Sequence, residues 1–281
     1  MTGESIAFFL FYFGPNGGTS VVQHARRRIA PLSRDGTLLC LQTRRLRARY
    51  LHFHRSAKLP RRLAAKASPP LLLLPHERWR LAKIKLIVVG QETLRWPPAT
   101  ASTPNRSLEN FLHFMQAEGG VDAMWRAYAS YSLGRAEPKL NSPFWRGFRA
   151  INSTITGCED SALWTNVFKV NVRGSVMRNC TARELNALRL VQSGLLRDEL
   201  AILQPDIVIF LSGPRYDSTL RCDFPDVEFL PLRRGLSTTT AGIVRASGLP
   251  SRSIRTYHPE YLQRSNQLQV LSDIARWVTT G

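Results

Sequence analysis

Cysteine is scarce in this chain of 281 residues: Cys40, Cys158, Cys180 and Cys222 are the only four, and no two form a Cys-x-x-Cys pair. That spacing matches no zinc pattern and supplies no iron–sulfur framework. The six histidines form no ligand cluster in sequence either. Free thiols in a reducing cytoplasm are therefore expected, with no metal and no cofactor. Long apolar runs are missing as well. The run in SIAFFLFYFGPNGG is eight residues, too short to span a bilayer. It lacks a basic flank and carries Glu4 instead, so neither a membrane span nor a secretory signal is expected. No Gly-x-Gly-x-x-Gly or Walker A pattern occurs, which removes the usual support for a generic nucleotide-binding protein.

Acidic residues are also few. Against 39 Lys and Arg stand 20 Asp and Glu, a net charge of +19, which favours a polyanionic partner, nucleic acid first. Hydrophobic residues make up 43%, an ordinary globular share that excludes wholesale disorder. The excess charge is uneven. Residues 1–70 hold 13 basic and 2 acidic side chains, and the remainder holds 26 and 18, most of the basic ones arginine, the better fork for phosphate. The stretch RRLRARYLHFHRSAKLPRRLAAKASPP shows no clean period, so residues 1–70 read as a basic arm without a fold, or as sequence upstream of the true start.

A folded domain is expected over residues 71–281. Ile84–Val89, Ser161–Val170 and the segment PDIVIFLSG read as buried strands, and VEFLPL and SIRTYHP as shorter ones. Ser142 and Pro143 make a helix start, as N-cap and first helical residue. Thr181 and Glu184 form a capping box for one long helix reaching about Leu203. A closing helix from Ser265 turns Leu268, Leu271, Ile274 and Val278 inward. Strands alternating with helices imply an α/β fold: a three-layer αβα arrangement around a central, mostly parallel sheet of four to five strands.

In such a sheet the carboxyl ends of the strands share one edge, where open α/β folds bind ligands. Three of these ends carry polar groups: Gln91 and Glu92 after the first strand, Asn166 in the second, His258 after the last. A carboxylate, an amide and an imidazole facing one cleft can carry out a hydrolysis. Each also has a plain reading, as a solvated loop acid, a buried cap and a structural histidine before proline.

Gly90-Gln91-Glu92 resembles the Gly-Gln-Asp opening of the water-activating motif of the uracil-DNA glycosylase superfamily. LWTNVFKV and PDIVIFLSG are similar to that superfamily's second and third strands. HPEYL resembles its His-Pro-Ser-Pro-Leu loop, and NSPFWRGF its proline-containing DNA-backbone loop. The motifs run in the same order, over roughly residues 75–281. The resemblance implies that Glu92 directs water and stabilises an oxocarbenium-like sugar, while His258 donates a hydrogen bond to the departing base. Asn166 would select the base edge, beside Gln91, Leu94 and Trp96, although Trp96 suits loop packing equally well. Leu262 would wedge into the vacated stack, and Ser142, Pro143 and the arginines Arg146, Arg149, Arg255 and Arg264 would hold the DNA backbone.

The departures from the family matter as much. Its catalytic aspartate is Glu92 here, its proline is Thr93, and its tyrosine guard against bulky pyrimidines is Leu94. The cysteine cluster of its iron–sulfur branch is absent. No lysine stands in these motifs, so no Schiff-base nucleophile is expected and the product is an abasic site in an intact strand. The reading is a monomeric, monofunctional DNA glycosylase. It acts on uracil in base-excision repair, or on a modified base such as a bulky cytosine of viral DNA in antiviral defence. The competing reading is a DNA-binding module with the same fold and no turnover.

Overall fold

The computed structural model describes residues 37–93, 96, 108–132, 141–172, 174 and 176–280. Six strands form one sheet in the order β2-β1-β3-β6-β5-β4: β1 (Leu86–Glu92), β2 (Leu163–Phe168), β3 (Ile207–Phe210), β4 (Glu228–Pro231), β5 (Ala241–Arg245) and β6 (Arg252–Thr256). The first four in that order are parallel; β5 runs antiparallel to β6, and β4, at the edge, antiparallel to β5. The three-layer α/β expectation holds, with six strands in place of four or five. The unanticipated strand is β5, whose short Ala-Gly-Ile-Val-Arg gives little strand signal without its neighbours.

Helices cover both faces: α1 (Thr37–Ser56), α2 (Arg61–Lys66), α3 (Glu77–Leu81), α4 (Phe111–Gln116), α5 (Gly120–Ser132), α6 (Pro143–Thr156), α7 (Ala182–Gln192), α8 (Leu195–Leu203), α9 (Asp217–Asp223), α10 (Pro259–Arg264) and α11 (Gln269–Thr280). Neighbouring residues of β2 sort the layers, because successive strand side chains point to opposite faces. Trp164 meets Tyr128 of α5 and Trp145 of α6, whereas Thr165 meets Glu199 of α8. Ser142 caps α6 with Pro143 behind it, as expected, and α7 opens on the Thr181–Glu184 capping box. The single long helix is instead two. Gly194, at φ +77°, breaks it between α7 and α8. In α11, Leu271, Ile274 and Val278 are buried, while Leu268 lies ahead of the helix and is exposed.

The reading of residues 1–70 as an arm without a fold is corrected for residues 37–70. Leu46, Tyr50 and Phe53 recur at i, i+4 and i+7 on α1 and are buried. The intervening arginines hide that stripe in the sequence. Tyr50 Oη donates to Glu199 Oε1 at 2.7 Å, and Arg49 Nε to Asp198 Oδ2 at 2.6 Å, so α1 is tied to α8. Glu199 is fully buried with Lys169, whose ammonium bonds both it and Thr165; burial pushes the Lys169 pKa down, against the pull of Glu199. Further along, Ala67 bridges Val172, and Leu71 N–H donates to Lys169 O at 2.8 Å. Residues 1–36 lie outside the described residues. Among the described residues, no helix is long and apolar enough to cross a membrane.

Candidate active site

Register places the strand ends. Val89, Phe210 and Arg255 lie in one row across β1, β3 and β6. Three residues further along each chain come Glu92, Gly213 and His258. Backbone bonds from Leu211 N–H to Val89 O (2.7 Å) and from Gly213 N–H to Thr256 O (2.9 Å) carry the pairing toward that level. Two strand spacings separate β1 from β6, about 10 Å at the backbone. Glu92 and His258, 166 positions apart in sequence, therefore rise from one edge of the sheet.

Asn166 sits beside Gly90 in the β1–β2 register. A Cβ on Gly90 would fall on Asn166 Oδ1 and come within 3.0 Å of Phe144 Cε2, so the glycine makes room for both. Phe144, in the first turn of α6, also stacks on the His258 ring, with centroids 5.9 Å apart and planes at 20°. One aromatic ring thus lies between the Asn166 amide and the His258 imidazole. Asn166 is 6% exposed, and its side chain makes no hydrogen bond with any described residue. The amide presents two donors and an acceptor to a ligand at this strand edge.

His258 is half-buried at the N-cap of α10. Its Nδ1 accepts from Glu260 N–H at 3.2 Å, which leaves the proton of the neutral ring on Nε2 as a free donor. Burial pushes its pKa below the ordinary range; Glu260 opposes that and Arg264 adds to it. The ring is thus held as neutral imidazole. Glu92 is also half-buried, and burial raises its carboxyl above the ordinary range. Met177 N–H (2.8 Å), the Tyr216 hydroxyl and Asn171 Nδ2 (2.9 Å) donate to it and pull the other way, as does the charge of Arg215. A carboxylate clamped by three donors is oriented, and its raised pKa makes it a better proton acceptor than a free glutamate.

Gln91 points to the other face of β1 from Glu92, and its Nε2 donates to Ser212 O at 2.9 Å. Ser142 accepts from Trp145 N–H at 3.5 Å. Arg146 is exposed and reaches Asn141 O and Gln263 Oε1, which tethers α6 to α10. Arg149 is half-buried on the same helix, and Arg264 is exposed.

Three expectations are corrected. Leu262 is fully buried under α10 and cannot project into a base stack. Arg255 is buried, bonded to Thr239 O (2.8 Å) and Asp217 Oδ2 (3.2 Å), with its guanidinium over Phe229; it is committed to the interior and does not face a phosphate. Trp96 is buried against Tyr131 and Trp164, with Nε1–H on Pro70 O at 3.1 Å, so its ring packs the core and does not face a base. Leu94 lies outside the described residues.

Phe144, Asn171 and Tyr216 were not anticipated as members of the site. Phe144 follows the Ser-Pro helix start, so its position at the helix mouth was the available signal. Asn171 and Tyr216 stand beyond the second and third strand ends, where only the fold reveals that they meet Glu92. Among the described residues, no group of three or more His, Cys, Asp or Glu side chains is placed to hold a metal ion. No family model matches the chain, and no curated protein matches it.

Proposed function

We propose that this protein is a monofunctional DNA glycosylase acting on a noncanonical or modified pyrimidine. The observation that carries the reading is the nearly buried Asn166 amide, bonded to no described side chain, which lies over Gly90 beside a Phe144–His258 ring stack, on the strand edge that also bears Glu92. An everted base placed there meets an amide for its polar edge and an aromatic face for its ring. As the C1′–N bond breaks, negative charge grows on the base and positive charge on the sugar. The Nε2–H of neutral His258 donates to the first without giving up its proton. The Glu92 carboxylate stabilises the second and directs water onto C1′. The charge of +19 supports a DNA partner. Both roles stay within the proposal, repair of deaminated bases and removal of bulky modified cytosines from viral DNA.

The test is incubation with oligonucleotides carrying uracil or modified cytosines, then hot alkali, with mass spectrometry of the released base. Turnover in the wild type that falls at least about 100-fold in Glu92→Gln, with DNA binding retained, supports the enzyme. The competing reading, a binding module without turnover, draws on the three donors already engaged with Glu92. Tight binding with no base released from any substrate in the panel would favour it.

A further inference from the structure

With Leu262 withdrawn into the core, the surface beside His258 is aromatic. Tyr261 is 43% exposed and stacks on Tyr257, with ring centroids 4.2 Å apart and planes at 29°. Tyr257 in turn packs against the turn after β3. A Cβ on Gly213 (φ +73°) would be 3.0 Å from Tyr257 Cδ1, so glycine is what lets the ring settle there. Turn, Tyr257 and Tyr261 form a short column rising from the sheet edge next to the site, with the exposed Tyr261 outermost. Arg264 follows three residues after Tyr261, on the same side of α10, exposed and without an ion pair or hydrogen bond among the described residues. Arg215, also exposed, stands two residues after Gly213. The acidic neighbours are Glu260 on α10 and Glu92, on which the charge of Arg215 acts.

From this geometry we infer that the Tyr257–Tyr261 column is a stacking platform for an unpaired base flanking the target, and that the substrate is single-stranded DNA. The inference rests on the glycosylase reading for the word target, but the platform stands by itself. Extruding a nucleotide from a duplex leaves a gap that an enzyme fills with a projecting side chain, and the leucine placed for that task is buried. An unpaired strand leaves no such gap, and its bases cost least to unstack. What an unpaired strand does need is a ring to stack on and cations along the backbone, which Tyr261, Arg264 and Arg215 present. Stacking one base on an aromatic side chain contributes about 1–3 kcal/mol, roughly a 5- to 150-fold change in affinity.

The experiment is fluorescence anisotropy with an unmodified thymidine oligonucleotide and a duplex of equal length. The probes are the wild type, Tyr261→Phe and Tyr261→Leu. The expected result is tighter binding of the single strand, kept in Tyr261→Phe and weakened within that 5- to 150-fold range in Tyr261→Leu. Because the residue is exposed, the substitutions leave the fold intact, which a thermal melt verifies. Preference for the duplex, or equal single-strand affinity in all three proteins, would overturn the inference. So would a loss in Tyr261→Leu confined to the duplex, which would make the ring a wedge. Base release accompanied by any of those results sinks the platform and leaves the glycosylase standing. The expected binding pattern without base release does the reverse.

Discussion

The replacement Gly90→Ala adds one methyl group at the strand end, and the surroundings determine where its cost falls. The new Cβ would overlap Asn166 Oδ1 and lie 3.0 Å from Phe144 Cε2. Ordinary van der Waals contact begins near 3.4 Å, so both neighbours have to give. Neither is backbone. Asn166 Oδ1 is the end of a rotatable amide with no hydrogen bond to lose among the described residues, and Phe144 is only half-buried. The stability cost is therefore at the low end for overpacking, about 1 kcal/mol. The functional cost is larger. Under the proposed glycosylase function, turning the amide away and shifting the ring displace the group assigned to read the base by about 1 Å, a misplacement that costs on the order of 100-fold in rate. The assay pairs a urea melt with the single-turnover rate of alkali-labile site formation on whichever substrate the wild type cleaves. A folded Gly90→Ala protein that turns over at the wild-type rate would refute the claim that the Asn166 amide reads the base from its position over Gly90.

Tyr50→Phe keeps the ring of α1 in place but takes a hydrogen bond from a buried carboxylate. A loss of about 1.5–3 kcal/mol in urea unfolding is expected, and an unchanged midpoint would mean that α1 is not docked on α8. Tyr216→Phe removes a donor to Glu92 and so raises a pKa that burial already holds high. If the Glu92 carboxylate directs water as proposed, the loss of turnover on acidification should begin at a higher pH; superimposable profiles would exclude Tyr216 from the site. Asp223 is pushed up to about 6 by burial, against the Gly194 N–H and the charge of Lys169. Holding its proton more tightly folded than unfolded, it adds stability below the ordinary carboxylate range that is lost as pH climbs through about 6. Asp223→Asn, still able to accept from Gly194, should flatten that part of the stability–pH curve measured against the wild type. Parallel curves would show that Asp223 titrates as it does in the unfolded chain.

How far the sequence reached depended on whether a signal was local. Runs such as Leu86–Val89 and Ile207–Phe210 are apolar over consecutive residues, and Thr181 with Glu184 closes its own capping box, so these were legible. The stripe of Leu46, Tyr50 and Phe53 was equally local but diluted by arginines, and β5 lacked a signal until β4 and β6 flanked it.

By itself, the sequence determined the element types, the parallel core of the sheet, and the placing of Glu92, Asn166 and His258 at strand ends, because short-range periodicity and turn chemistry dictate all of these. Tertiary structure alone decided which faces those residues share and which side chains are left over for a partner. Leu262 and Tyr261 are adjacent in sequence, yet packing buries one and exposes the other. Arg255 carries the same charge as Arg264, but Asp217 and Phe229 claim it. Burial depends on neighbours remote in the chain, and only their meeting in three dimensions separates a residue that packs from one that can bind.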